Sequence, residues 1–243
     1  MKRKAVLTGA LAILLTAAAS ATNWHLYKSW RAPAPNVRGY AFHSPYHYVL
    51  TDGSPPRIWR FDFEKFDSPI NLQVPRGAWG LEKIGPVAFW VSNYNNSYIY
   101  KVNMTGSVVS SFRCPRDHPG EIGGTGLGGY LAVAIPKDNL ALLMTTAGSV
   151  VRTFPGPGTR LTAWHSYNGL LAGDDITHKV YTYAGTVNVA SPAGISPGNW
   201  PMSAPYSNFF VTDMATNTVQ GWVWGGVVPV GPSSLGRVKA LFK

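Results

Sequence analysis

The segment TGSVVSSF (Thr105–Phe112) returns 42 residues later as AGSVVRTF (Ala147–Phe154). Self-similarity at a fixed period means that a chain is built from copies of one small unit, none of which can bury its apolar faces alone. With that shift applied, further segments fall into phase. One strand pattern reads YHYVLTD (Tyr46–Asp52), AFWVSN (Ala88–Asn93), YLAVAI (Tyr130–Ile135), GLLAGD (Gly169–Asp174) and NFFVTD (Asn208–Asp213). The next reads RIWRFD, YIYKVN, LALLMT, KVYTYA and TVQGWV, and a third PINLQV, SVVSSF, SVVRTF, TVNVAS and VVPVGP. Each unit opens on a shorter stretch: RGYAF, GAWGL, GTGLG, LTAWH and GNWPM. Apolar residues alternate with polar ones, and Asn-Asn or Thr-Gly pairs interrupt them where a chain reverses.

Five units of four strands, spaced by roughly 35 to 43 residues, have the period of β-propeller blades set around a channel. A two-sheet sandwich is the competing architecture and gives no reason for the sustained internal similarity. The expected fold is all-β: a single five-bladed propeller of four-stranded antiparallel blades, at about 34–75, 76–115, 116–157, 158–192 and 193–232. Composition agrees. Charged residues make up 13% of the chain, against 26 glycines and 19 prolines, which suits short strands and tight turns. The single cysteine, Cys114, excludes an internal disulfide, so stability must come from a packed core. Beside Pro115 at the end of a strand pattern, it reads as a small buried apolar residue rather than a nucleophile.

The stretch FWVSNYNNSYIYKVNMTGSVVSSF resembles the repeats of secreted bacterial propellers of the NHL/YVTN-like kind, whose blades carry an LWVSDYNN core in their second and third strands. The resemblance is clearest in the second unit and weakest in the fifth. It implies a propeller with a ligand- or partner-binding surface and no particular activity. Those families often have six or seven blades, whereas five are counted here.

The first 21 residues have the layout of a signal peptide: Lys2, Arg3 and Lys4, an apolar run from Ala5 to Ala18, and small residues at Ala19-Ser20-Ala21. The expectation is cleavage near Ala21–Thr22 and a secreted or periplasmic product with no later transmembrane segment. Residues 22–33 form an N-terminal extension bearing Trp24, Tyr27 and Trp30, able to pack across the ring or to add an outer strand. Residues 233–243 are a basic tail. Cleavage removes three of the 21 basic residues and none of the 11 acidic ones, so the product stays basic. Acidic glycans, cell-wall polymers or another secreted protein are partners such a charge attracts. The basic residues are scattered singly, so nucleic acid is not expected.

Candidate chemistry falls at two places. Arg38, Arg76 and Arg160 stand in nearly the same phase, each shortly before an aromatic residue: Tyr40, Trp79 and Trp164. In the fifth unit Asn199 and Trp200 take that place. A guanidinium binds carboxylate or phosphate with two parallel hydrogen bonds, and an indole stacks on a flat face, so this set suits an anionic, planar or sugar-like ligand. The same residues also suit internal duty, with arginines paired to turn carboxylates and aromatics filling the wedges between blades. Asp52, Asn93, Asp174 and Asp213 end the second strand of their units, where an Asx side chain stabilises a turn.

The second place is the channel. His43 and His165 share an inner-strand phase and form an alternative polar pair. His43 and His47 are four apart, but Pro45 between them excludes a helical metal pair. The inner stretches hold no carboxylate, which leaves Glu82 and Glu121 beside them, or the turn aspartates, as acids for glycosidase-type chemistry, and none of these forms a recognisable pair. No nucleophile elbow, phosphate loop or dinucleotide fingerprint is present. No cofactor, metal or catalytic residue is assigned. The reading at this point is a non-enzymatic binding or scaffold propeller; the alternative is a carbohydrate-active hydrolase or lyase in the channel mouth, and a third is a structural surface module.

Overall fold

The computed structural model describes residues 24–43, 45–83, 85–124, 129–165, 171–182, 185–197 and 208–224. Strand β1 (Trp24–Arg31) comes first in the chain. A first blade follows from β2 (Val37–His43), β3 (Tyr46–Thr51), β4 (Arg57–Phe61) and β5 (Ile70–Asn71), and a second from β6 (Ala78–Lys83), β7 (Ala88–Asn93), β8 (Tyr98–Asn103) and β9 (Val108–Arg113). The third is β10 (Ile122–Gly124), β11 (Tyr130–Ile135), β12 (Leu140–Thr145) and β13 (Val150–Pro155); the fourth is β14 (Leu161–His165), β15 (Leu171–Asp174), β16 (Lys179–Thr182) and β17 (Gly185–Asn188). The fifth combines β18 (Pro192–Pro197), β19 (Asn208–Asp213) and β20 (Thr218–Trp224) with β1, which pairs antiparallel to β20.

The fifth blade is therefore closed by β1; VVPVGP, expected in that place, lies outside the described residues, as do the signal-peptide stretch and the basic tail. Of the two roles open to the extension, it takes the outer strand. Its tryptophans lock the closure. Trp30 is buried against Phe61, Phe63 and Phe210 and donates its indole N–H to the Phe63 carbonyl at 2.9 Å. Trp24 donates to Thr182 Oγ1 at 3.0 Å, reaching the fourth blade.

Apolar clusters fill the wedges between blades: Leu50, Ile58 and Leu72 meet Leu81, Phe89 and Val91, while Trp90 and Ile99 meet Ile122, Leu131 and Val133. Near the axis the inner strands approach so closely that side chains are excluded. A Cβ on Gly39 would sit 2.6 Å from the Leu81 backbone nitrogen, one on Gly80 2.5 Å from that of Ile122, and one on Gly194 2.5 Å from that of Tyr40. Pairing fixes the equivalence: Tyr40, Leu81, Ile122, Ala163 and Ile195 face Val49, Val91, Val133, Gly173 and Val211 on the second strands. The residues just before them are Gly39, Gly80, Glu121, Thr162 and Gly194. Glu121 thus occupies a ring position that is glycine in three other blades.

Candidate functional site

The turn after each second strand and the connection entering each inner strand lie at one end of the ring, tied together by Asx side chains. Asp52 Oδ1 accepts the N–H groups of Gly77 and Ala78 at 2.9 and 3.2 Å, clamping the entry to the second blade. Asn93 Oδ1 accepts from Asn95 and Asn96 while its amide donates to the carbonyls of Pro75 and Arg76. Asp174 accepts from Ile176 and Thr177 in its own turn and from Thr159 and Arg160 in the connection. Burial pushes the Asp174 carboxyl upward, but these four N–H groups outweigh it and hold it below the usual carboxylate range.

This end carries the arginine and aromatic positions, and the structure separates them. Arg38 lies over the Trp79 indole, its guanidinium carbon 4.6 Å from the ring centroid. Tyr94 stacks on Trp79 at 4.9 Å and 29°, and His118 lies against Tyr94 at 4.7 Å, its Nδ1 2.8 Å from the Tyr94 carbonyl oxygen. The stack Arg38–Trp79–Tyr94–His118 thus crosses the first three blades. Arg38 contacts the Met214 sulfur and makes no ion pair among the described residues. Burial lowers its pKa, and the charges of Asp52 and Asp175 partly restore it. The Trp79 Nε1–H is buried and has no acceptor among the described residues.

Of the other members of the set, those described do not join this stack. Tyr40 is fully buried, stacked on Phe210 and hydrogen-bonded to His47, because the wedge between the fifth and first blades needs a large ring there. Trp164 is buried against Phe154 for the same reason. Arg160 forms a fork with Asp175, Nε to Oδ1 at 2.6 Å and Nη2 to Oδ2 at 2.5 Å. Arg76 is exposed, and its carbonyl accepts from Asn93 and Asn95. Asn199 and Trp200 lie outside the described residues, and the register gives their expected phase to Ala193 instead, one residue before Gly194. The rings that do gather are stacked on each other and on Arg38.

Sequence reasoning passed over a neighbouring signal. The residues just after the turn Asx positions are Gly53, Tyr94, Asp175 and Met214. Three of these contact the arginine–aromatic set, so reading one position further along the repeat would have found them.

The channel holds a second group. Glu121 Oε1 accepts the Tyr40 N–H at 3.3 Å, and Oε2 is buried without a partner among the described residues. Burial drives the Glu121 carboxyl well above the usual range, the nearby Glu82 adds to this, and N–H groups of Tyr40 and Leu81 pull the other way. Glu82, at the end of β6, is raised to about 8, mainly by burial, with backbone N–H bonds from Gly124 and Lys83 opposing. His165 is buried and lowered to about 3, so its imidazole is neutral. A Cβ on Gly124 would sit 3.0 Å from Glu82 Oε1 and 3.4 Å from His165 Nε2, so the two groups flank one glycine. One acid thus lies on an inner strand and one immediately before another. Glu82 belongs to β6 itself, and the inner strand of the third blade begins at Ile122, two residues earlier than GTGLG implies. His43 ends β2 and is lowered by burial and by the charge of Lys83. Its neighbour is thus Lys83, whereas that of His165 is Glu82. Among the described residues no three His, Cys, Asp or Glu side chains converge as a metal site.

A ring of five four-stranded antiparallel sheets closed by its N-terminal strand defines the chain as a five-bladed β-propeller. The structure is similar to that of Myxococcus xanthus glutaminyl cyclase, with a TM-score of 0.61 and 12% identity over 84% of this chain and 97% of that one. It is also similar to the WD40 β-propeller domain of Doa1, with a TM-score of 0.50 and 12% identity over 75% of this chain and 62% of that one. At such identities the likeness is one of fold. No protein-family model matches the chain, and no curated protein does.

Proposed function

We propose that the protein is a ligand-binding propeller of the NHL/YVTN-like kind, exported by its N-terminal signal, that recognises an anionic group at the channel mouth through Arg38. One observation carries the reading. The Arg38 guanidinium is half-buried and held by the Trp79 ring, yet no carboxylate among the described residues bonds to it. A desolvated guanidinium fixed by a ring, with only the Met214 sulfur against its N–H groups and no oxyanion bonded to it among the described residues, is organised to receive an external oxyanion. The orphaned Trp79 N–H beside it is a second donor for the same group. Stacking of a flat or sugar ring is not part of the reading, because Trp79 and Tyr94 already stack on other groups. The test is calorimetric titration of the mature protein with benzoate and inorganic phosphate. Arg38→Ala should abolish binding, and Trp79→Phe, which keeps the ring but removes the N–H, should weaken it severalfold. Unchanged binding by folded Arg38→Ala would sink the site.

A second reading, hydrolase or lyase chemistry in the channel, is favoured by the gathering of Glu82, Glu121 and His165. Two neighbouring carboxyls whose pKa values burial raises, beside a neutral imidazole, are an arrangement acid–base catalysis uses. One of the similar structures is that of an enzyme, the glutaminyl cyclase. Turnover of a glycan panel that disappears in Glu121→Gln, with anion binding at Arg38 intact, would establish this reading over the first.

A further inference from the structure

The repeated segments TGSVVSSF and AGSVVRTF agree at positions the core does not require. Gly106 and Gly148 are turn residues with φ of +86° and +92°, and Phe112 and Phe154 are half-buried against the wedges between blades. The valine pairs have no such duty: Val108, Val109, Val150 and Val151 are 38, 60, 45 and 54% exposed. They open β9 and β13, outer strands that pair with nothing on their far side among the described residues. An open strand edge is a template for another chain, and folded proteins blunt it with short length, charge or proline. Strand β5 has two residues and β17 four, while β1 carries His25, Lys28 and Arg31. On β13 the bond from the Gly156 N–H to the Asn139 carbonyl sets the phase of the ladder and turns Pro155, which has no N–H, to the open side. Strand β9 has six residues, no proline and no charge before its last residue, Arg113. Here the bond from the Cys114 N–H to the Ser97 carbonyl sets the phase. Ser110 and Phe112 face β8, so the N–H and carbonyl groups of Ser111 and Arg113 point outward.

This edge runs into a cavity of about 490 Å³ whose charged lining is Arg113, Arg116 and Lys137 against Asp117 and Asp138. The pairs Arg113–Asp117 and Arg116–Asp138 are 3.4 and 3.7 Å apart with both arginines exposed, so they are loosely held. Lys137 makes no ion pair among the described residues. We propose that β9 is a docking edge for an extended acidic segment of a partner protein, which joins the second blade as a fifth strand and places carboxylates in the cavity at the strand's end. Its backbone bonds to Ser111 and Arg113, its apolar side chains lie on Val108 and Val109, and its acids meet Arg113, Arg116 and Lys137. Charge selects this occupant. A second copy, with a formal net charge of +10, would set basic groups against basic ones, and so would the chain's own tail with Arg237, Lys239 and Lys243. The edge lies on the rim and is independent of the channel mouth.

The experiment measures fluorescence anisotropy of three labelled octapeptides against the full mature chain. One alternates valine with glutamate, one alternates valine with lysine, and the third is the glutamate peptide with every backbone amide N-methylated. The glutamate peptide should bind, the lysine peptide at least tenfold more weakly, and the methylated one not at all. Ser111→Pro removes an outward N–H while leaving the bonds to β8, and should abolish binding. Lys137→Glu should weaken the glutamate peptide and strengthen the lysine peptide. Opposite signs in one variant are not what general destabilisation produces, and circular dichroism melts check the folding of both variants. Binding by the methylated peptide as tight as by its parent, or unchanged binding in folded Ser111→Pro, rules out strand addition. Equal affinity for the two charged peptides overturns the acidic partner, and failure of the glutamate peptide to bind overturns the docking edge. A dimer in sedimentation that Ser111→Pro dissociates would give the edge to a second copy instead.

Discussion

The backbone N–H of Tyr40, in the first blade, donates to Glu121 Oε1, in the third, at 3.3 Å. The bond spans the ring at a level where Gly39, Gly80 and Gly194 carry no side chain, so one glutamate occupies the space that three glycines leave. An inner strand has no partner on its channel side, and its buried N–H groups need acceptors. Glu121 is one. Glu121→Ala should therefore cost about 2–3 kcal/mol by stranding the Tyr40 N–H, read as a lower urea midpoint with unchanged slope. Glu121→Gln keeps the acceptor and should lie within about 1 kcal/mol of the wild type. Equal losses in both variants would mean that the carboxyl acts some other way.

The raised pKa of Glu82 makes stability fall as pH rises. The native state keeps the proton up to about 8, whereas the unfolded chain releases it near the ordinary glutamate value of 4.5. Across that window the native state binds more protons, so each step upward in pH favours unfolding, and the effect levels off above the native value. Glu82→Gln removes the term. Its advantage over the wild type should be small at pH 4.5, grow through the window and reach at most about 5 kcal/mol near pH 8.5. Urea unfolding of both proteins at pH 4.5, 6.5 and 8.5 measures it, and parallel pH profiles would refute the assignment.

His47 and His165 act with the opposite sign. Each is buried neutral and lowered to about 3, mainly by burial. Below about 6.5 the unfolded chain takes up protons that the native state refuses, so stability is lost progressively from there down towards pH 3. His47→Phe should flatten part of this acid limb, since the site is lined by Phe42, Phe63 and Phe210. It also deletes the hydrogen bond to Tyr40, so its stability at pH 7 should drop by about 1 kcal/mol. An acid midpoint unmoved in His47→Phe would exclude this histidine as a contributor.

Gly194→Ala should be far more damaging than its size implies. The added methyl meets the Tyr40 nitrogen at 2.5 Å and the Arg38 carbonyl oxygen at 2.7 Å, both backbone atoms that cannot rotate away. Overpacking of this kind costs about 1–3 kcal/mol or more, and here it falls where the last blade meets the first. Gly85→Ala, with nothing within 4 Å but a φ of +69°, isolates the purely conformational cost. A Gly194→Ala protein as stable as Gly85→Ala would contradict the close approach.

Closure by β1 predicts that Trp30→Ala costs about 3–5 kcal/mol, from loss of its packing on Phe61 and Phe210 and its bond to Phe63. A thermal melt measures the loss. Ser29→Ala, at an exposed position on the same strand and outside that cluster, serves as the control for changes to β1 in general.

Much of the ring was legible in the sequence because a propeller blade is a local object. Each of its strands is followed by the next, and AFWVSN and YIYKVN coincide residue for residue with β7 and β8. The Asx positions were legible for the same reason, since Asn93 and Asp174 bond within their own turns. What local pattern misjudged was whatever depends on a distant segment. VVPVGP has the look of an outer strand, yet β20 pairs with residues almost two hundred positions upstream. GNWPM has the look of an inner strand, yet the fifth blade begins six residues earlier, at Pro192.

The candidate site divides along the same line. The sequence by itself determined that arginines and aromatic rings recur at the entry to successive blades, because that is a matter of phase. Only the tertiary structure decided which ones meet. Tyr40 and Trp164 turn into wedges because two blades must fill the space between them. Arg160 is taken by Asp175, and Arg38 comes over Trp79 of the next blade. Glu82 and Glu121, 39 positions apart, become neighbours with raised pKa values only because the ring closes around them and excludes water. Phase is written along one strand of residues, whereas desolvation and charge pairing depend on what the other blades bring to the axis.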